Sequence, residues 1–394
     1  MAKIIVANKF YYPRGGDCIY TIGLVGLLQS HGHDVAVFAM QHPETLETPW
    51  NKYFPEEVKF GMDASSFKAI LRPFGTTDVI QKFNALLDDF KPDIVHLNNI
   101  HSQLSPIIAE LAKGRGCKVI WTLHDYKHLC PRYDCLRNGK MLCEQCFDNK
   151  INVLKNKCMK NSLFASLFAL GEALIWNRER LEACTDIFIC PSRFMAEKMS
   201  KAGFDSNKLQ TLCNFIDINK CPKECFPKDS YYCFIGRLSN EKGVNTLIKV
   251  AEHLPYKLII IGVGPLEEKL KKKAGANIEF VGFKQWNEIK QIVGKSRFIV
   301  TPSEWYENNP ISVIEALCLG TPVLGARIGG IPELIEEGVS GMTFESRNME
   351  DLKAKIEMMW NAQFDYRALA ERSQQKYSSE SYYHKLMNIY KQSV

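Results

Sequence analysis

No run of about twenty apolar residues occurs in the 394-residue chain, so nothing in it reads as a bilayer-crossing helix. The nearest approach, SLFASLFALGEALIW over residues 162 to 176, is interrupted by Gly171 and Glu172 and reads as a core helix. A membrane-surface helix is the alternative, because Lys157, Lys160, Arg178 and Arg180 flank its Phe, Leu and Trp. The N-terminus MAKIIVANKF lacks a charged stretch followed by a long apolar run and a small-residue cleavage site. No export signal is therefore expected, and the segment reads as a first strand. Also missing is a dense basic stripe with interleaved aromatics, which excludes nucleic acid as an expected partner. Formal net charge is only +6, and the one local run, Lys269 to Lys273, suits a solvated helix face. There is no repeat of solenoid period and no Asp-x-Asp metal motif at a suitable strand end.

What is plentiful is cysteine, fourteen in all. Without an export signal these point to a reducing cytoplasm and free thiols. Cys18, Cys117, Cys184, Cys190, Cys213, Cys233 and Cys318 stand in apolar contexts and read as small core residues. Cys130, Cys135, Cys143, Cys146 and Cys158 instead cluster in a turn-rich segment, where Cys143 and Cys146 form a C-x2-C pair. Structural zinc is one reading of this set and free thiols the other, since the spacing matches no standard finger.

Short apolar runs alternate with longer amphipathic segments along the whole chain, the pattern of parallel strands joined by helices. Strands are expected at residues 4–8, 34–40, 93–98, 118–124, 186–192 and 209–215 in the first half. In the second half they fall at 231–237, 257–264, 277–283, 298–303, 322–328 and 341–345. At this length two cores are the default. Composition shifts over Asn214 to Ser230, which has no periodicity and reads as a linker. The expected domains are therefore 1–215, 216–370 and a terminal helical region 371–394.

The densest signal is TPSEWYENNPISVIEALCLGTPVLGARIGGIPE, residues 301 to 333. Glu307 and Glu315 stand eight apart, separated by Asn308, Asn309 and Pro310. Pro310 and Ser312 suit a helix start, where N–H groups lack intrahelical partners, and Glu315 falls about one turn inside. A loop carboxylate and a helix carboxylate beside the positive end of a helix dipole can receive sugar hydroxyls and phosphate oxygens.

This segment and the following GTPVLGARIGGIPELIEEGVSGMTFE resemble the Glu-x7-Glu signature of retaining glycosyltransferases of family 4. The resemblance implies an α/β GT-B fold, two Rossmann-like domains facing a central cleft, and a nucleotide-sugar donor. By position it assigns Glu307 to the transferred sugar, Glu315 to the ribose, and the backbone of Asn309, Pro310 and Ile311 to the sugar. Other matches follow. Gly15 and Gly16 open a helix directly after the first strand, where glycine lets backbone approach a phosphate. Gly236 and Arg237, followed by Glu241-Lys242-Gly243, end the first strand of the second half; Arg237 and Lys242 are the family's diphosphate-stabilising positions. His124, in TLHDY, matches a His that contacts the donor sugar, with His101, Asp125 and Tyr126 as acceptor-side candidates. Ser192 ends a strand at a junction that family members use. Gly264 and Gly282 stand at strand ends where backbone can meet base or ribose; the stretch IGVGP lacks the third Gly of a dinucleotide fingerprint.

The implied function is a retaining, metal-independent hexosyltransferase that moves a sugar from a UDP- or GDP-sugar to a saccharide or lipid-linked glycan. Relatives with a similar HDY…CP…C..C segment build bacterial capsule, exopolysaccharide or lipopolysaccharide. The setting implied is cytoplasmic, with the inner membrane face as a peripheral site and no cofactor required. The alternatives are a same-fold sugar-nucleotide epimerase and a catalytically inactive binding protein.

Overall fold

The computed structural model describes residues 1–58, 69–222 and 224–392. Lys223 in the expected linker, and Ser393 and Val394 in the expected terminal region, lie outside the described residues. The chain divides into two compact units, Met1–Leu212 with Tyr383–Val394, and Cys213–Tyr382.

The first unit is built on Lys3–Ala7 (β1), Asp34–Phe38 (β2), Ile94–Leu97 (β3) and Lys118–Thr122 (β4). A two-stranded hairpin, Leu136–Arg137 (β5) with Met141–Leu142 (β6), precedes Ile187–Cys190 (β7) and Leu209–Thr211 (β8). Six of these form one parallel sheet ordered β2-β1-β3-β4-β7-β8. Ile4 pairs with Val35 on one side and Ile94 on the other. Ile4, Ile5 and Val6 are fully buried, as expected where helices cover both faces of a parallel sheet and strands read as continuous apolar runs.

The second unit repeats the plan with Tyr231–Ile235 (β9), Lys257–Ile261 (β10), Ile278–Gly282 (β11), Ile299–Thr301 (β12), Val323–Ala326 (β13) and Gly341–Phe344 (β14). All pair in parallel in the order β11-β10-β9-β12-β13-β14. Side chains alternate between faces. Tyr232, Phe234, Leu258 and Ile260 fill one core cluster, and Cys233, Ile259, Ile261 and Val323 the other. In such sheets strand order reverses at a switch point, and ligands bind beyond the carboxyl ends there. The reversal lies between β1 and β3 in the first unit and between β9 and β12 in the second.

All twelve expected strands are present within a few residues of their expected ends. In the helix Gly16–Ser30 the buried face is Cys18, Tyr20, Thr21, Leu24, Val25, Leu27 and Leu28, while Ile19 points out, 51% exposed. One expectation needs correction. The helix Leu163–Ile175 is no core helix: Leu163, Phe164, Leu167, Leu174 and Ile175 are exposed. Among the described residues no helix is long and apolar enough to cross a membrane. The final helix, Ser379–Lys391, ends in the first unit, where the Tyr390 hydroxyl lies 2.6 Å from His96 Nδ1 and Lys118 Nζ donates to the Tyr390 carbonyl at 2.9 Å.

Candidate active site

In the second unit the loop after β9 meets the loop after β12. Gly243, at φ +68°, makes this possible: a Cβ there would lie 1.8 Å from the Pro302 carbonyl oxygen, closer than any side chain tolerates. The Glu304 N–H donates to the Glu241 carbonyl at 2.8 Å and staples the two loops together. Lys242 is thereby delivered to Glu307. Its ammonium lies 2.6 Å from Glu307 Oε1, and the Ser303 hydroxyl and Trp305 indole N–H donate to the same oxygen at 2.9 Å each.

Glu307 is only 6% exposed. Burial pushes its carboxyl pKa up, but the Lys242 ammonium and the hydrogen bonds from Lys242, Trp305 and Ser303 together outweigh that and hold it below its ordinary value. The carboxylate is therefore charged at neutral pH, and its Oε2 makes no hydrogen bond among the described residues. Its backbone is clamped as well. The Gly330 N–H donates to the Glu307 carbonyl at 2.7 Å, and Gly329, at φ +60°, leaves room that a Cβ would close to 2.2 Å.

Glu315 sits in the helix Ile311–Cys318, half-buried, with no hydrogen bond to its carboxylate among the described residues. Burial pushes its pKa up to about 7, only partly opposed by Lys220. Ahead of that helix Asn309 is tied down: its Oδ1 accepts the Asn214 N–H and its carbonyl accepts Asn214 Nδ2, both at 2.9 Å. Pro310 is the N-cap residue, and the first-turn N–H groups of Ile311 and Ser312 bond no acceptor among the described residues. Arg237 is exposed and forms no ion pair among the described residues. Gly264 has a local role, since a Cβ there would lie 2.5 Å from the Leu238 carbonyl oxygen. At Gly282, φ +72°, the side-chain direction is open.

In the first unit the switch point holds a polar cluster. Asn98, 1% exposed, donates from Nδ2 to the Ala7 carbonyl at 3.2 Å, which turns its Oδ1 toward His124 Nε2 at 3.0 Å. An amide oxygen only accepts, so Nε2 carries the proton and Nδ1 the lone pair. Burial pushes the His124 pKa down to about 4, against Asp17, so the ring is neutral near pH 7. Asp17 occupies the first turn of the helix that Gly15 caps, 3.3 Å from Lys9 and accepting Asn99 Nδ2 at 3.2 Å. Burial raises its pKa, but Lys9, His124 and Asn99 together hold it below the usual range. The expected phosphate cradle at Gly15 and Gly16 thus already faces a carboxylate of its own, which offsets the helix-end charge.

Asp125 accepts the Lys127 N–H at 2.9 Å, and burial raises its pKa. Tyr126 is buried beside Phe194. His101 stacks on Trp121 at 5.2 Å and meets His128 edge-on at 4.7 Å; burial holds its pKa well below the ordinary value. Ser192 caps the helix Arg193–Lys201 by accepting the Met195 N–H at 3.1 Å, which is a structural use of its hydroxyl. Of the two readings of the cysteine cluster, the described residues carry free thiols. Cys130 and Cys135 hydrogen-bond each other, which pulls the Cys130 pKa down to about 7 and pushes Cys135 up. Cys146 and Cys158 pack with Val153, Ala169 and Leu170 in an apolar cluster. Among the described residues no three His, Cys, Asp or Glu side chains form a group able to hold a metal ion.

The structure therefore joins Lys242 directly to Glu307 and leaves the Glu315 carboxylate without a hydrogen bond among the described residues. Ser303, Trp305, Gly329 and Gly330 around Glu307, and Lys9, Asp17, Asn98 and Asn99 around His124, are the contributors that sequence reasoning did not single out. Their signals were faint: Asp17 directly follows the glycine pair, and Gly329-Gly330 stands inside the Glu307 motif.

A family profile described as Glycosyltransferase Family 4 matches residues 15–220, and one described as Glycosyl transferases group 1 matches residues 217–376. A protein of the Klebsiella pneumoniae cps region, uncharacterized and of 42.6 kDa, is 28% identical over 351 residues, 84% of this chain and 87% of that one. The amylovoran biosynthesis glycosyltransferase AmsK of Erwinia amylovora is 26% identical over 231 residues, 49% of this chain and 57% of its own. Among solved structures, sucrose-phosphate synthase of Thermosynechococcus elongatus superposes with a TM-score of 0.71 at 16% identity, over 99% of this chain and 98% of that one. HepE of Anabaena in complex with UDP-glucose gives 0.65 at 17% identity, over 99% of each.

Proposed function

The chain belongs to glycosyltransferase family 4 and is a glycosyltransferase, and from that premise we propose that it is a retaining enzyme that takes a sugar from a UDP-sugar. The single observation that carries the reading is Glu307: a buried carboxylate held charged through one oxygen by Lys242, Ser303 and Trp305 while Oε2 is left to accept from a ligand hydroxyl. Glu315 complements it as a half-buried carboxylate with no donor among the described residues, suited to the two hydroxyls of a ribose. UDP as the nucleotide is supported by HepE, a GT-B relative in fold that carries UDP-glucose.

On this reading Arg237 meets the diphosphate with its exposed guanidinium, and the N–H groups of Ile311 and Ser312 add fixed dipoles at the same helix start. Stabilising the negative charge that grows on the leaving diphosphate should be the largest catalytic contribution. Lys242 holds Glu307 in its charged form, and neutral His124 offers Nδ1 to a sugar hydroxyl. No side chain is read as a covalent nucleophile. The acceptor hydroxyl enters on the face from which the diphosphate departs, its proton passing to the departing phosphate oxygen as the anomeric carbon–oxygen bond breaks.

The acceptor is read as a lipid-linked glycan in surface-polysaccharide assembly at the inner face of a membrane. The cps-region and amylovoran relatives support the polysaccharide-assembly part of that reading. A panel of nucleotide sugars screened by thermal shift tests the donor, because a ligand bound only by the folded state raises apparent stability. UDP-sugars should raise Tm and be hydrolysed slowly without acceptor. A chain that responds to no nucleotide sugar would contradict the proposal.

A further inference from the structure

The helix Leu163–Ile175 is built inside out. Its one charged residue, Glu172, is 7% exposed and pairs with Lys127 at 2.8 Å, and Ser166, fully buried, accepts the Met159 N–H at 3.1 Å. Its outward residues are apolar instead: Leu163 is 58% exposed, Phe164 64%, Leu167 53%, Leu174 59% and Ile175 42%. At 3.6 residues per turn these five side chains fall in one arc of about 120°, which Gly171 shares and no polar residue interrupts. Phe164 and Phe168 meet edge to face at 4.7 Å, so the arc continues as an aromatic ridge. Scattered apolar side chains are ordinary on a protein surface, but a contiguous apolar face is not.

Just before the helix, Lys155, Lys157 and Lys160 are exposed and pair with no carboxylate among the described residues. This set decides the occupant. A second copy seated on the same face would bring basic groups against basic groups, whereas anionic headgroups complement them. We propose that the outward face of Leu163–Ile175, with Lys155, Lys157 and Lys160, is a docking surface for an anionic lipid bilayer. The helix lies in the interface plane with its Leu, Phe and Ile side chains at the boundary of headgroups and acyl chains, and the lysines reach the phosphates. The inference deepens the reading of a lipid-linked acceptor and rests on it, since such an acceptor presents its sugar at that surface.

The test is cosedimentation of the full chain with sucrose-loaded vesicles of equimolar phosphatidylglycerol and phosphatidylcholine, against vesicles of phosphatidylcholine alone. The wild type should pellet with the first and far less with the second. Each lysine contributes about fivefold to partitioning, so the triple variant Lys155→Gln, Lys157→Gln, Lys160→Gln should bind about a hundredfold more weakly. The double variant Phe164→Ser, Leu167→Ser should lose at least about a hundredfold, with UDP-sugar hydrolysis in solution unchanged because both side chains already face outward. Wild-type protein that stays in the supernatant, or a double variant that binds as well as wild type, would overturn the proposal. So would self-association that the double variant abolishes while vesicles go unbound. Vesicle binding by a chain that turns over no donor would support the docking surface and contradict the reading of function.

Discussion

Removing the Lys242 ammonium while keeping its aliphatic stem, as in Lys242→Met, leaves Glu307 buried with only the Ser303 and Trp305 donors. The side chains of Lys242 and Glu307 are 26% and 8% exposed, so the pair is nearer the buried than the surface case. Deleting one partner of a buried pair costs about 3–5 kcal/mol, and the partial exposure of Lys242 places this variant at the low end, about 3 kcal/mol at pH 7. The pH dependence follows from the sign of the Glu307 shift. In the wild type its folded pKa lies below the unfolded value, so the pair contributes stability above the unfolded pKa and loses it as pH falls through the lower folded one. Without Lys242 the burial that opposes ionisation wins, the folded pKa rises above the unfolded one, and the deficit shrinks as the medium is acidified. Urea unfolding of both proteins at several pH values from neutral to mildly acidic measures this directly. The double variant Lys242→Met, Glu307→Gln should recover most of the loss at pH 7, because it removes the stranded charge. A Lys242→Met protein as stable as wild type at pH 7, or a deficit that does not change with pH, would refute the electrostatic account of Glu307.

Other outcomes follow from the same geometry. Titrating UDP calorimetrically across pH should show affinity falling about tenfold for each unit below the Glu315 pKa of about 7, as the carboxylate that receives ribose hydroxyls becomes protonated; Glu315→Gln should flatten the profile. Arg237→Ala and Glu307→Ala should each lower turnover by about 10²–10³ with far-UV circular dichroism unchanged, and undiminished sugar transfer by either would remove that residue from the site. Gly329→Ala should destabilise by more than about 1–3 kcal/mol, since its Cβ would meet the Glu307 carbonyl oxygen as well as a strained φ. Gly282→Ala, with open space at its Cβ, should cost only the backbone strain, about 1 kcal/mol, and comparison of the two Tm values separates these effects.

The strands were legible because parallel strands covered on both faces are near-continuous apolar runs, and KIIVA or KLIII cannot be mistaken once the intervening helices are counted. The hairpin of β5 and β6 was not, since two residues per strand carry no period. Glu307 and Glu315 were visible as a spaced pair, but the partners of Glu307 were not: Lys242 lies 65 positions away in sequence, and only the backbone approach at Gly243 brings it within reach. The tautomer of His124 likewise depends on Asn98, whose amide is oriented by a carbonyl 91 positions distant. The helix Leu163–Ile175 shows the converse failure. Its apolar composition reads as core, yet burial followed Glu172 and Ser166, because Lys127, Ser102 and the Met159 N–H supply them with partners inside.

The most direct test is proton NMR of the anomeric signal while the wild-type chain consumes the UDP-sugar that stabilises it best, run beside Glu307→Gln. Transfer with the donor's anomeric configuration preserved in the product, and loss of that transfer in the variant, is the predicted result. An inverted anomer, or a variant that turns the donor over at the wild-type rate, would contradict retaining transfer at Glu307.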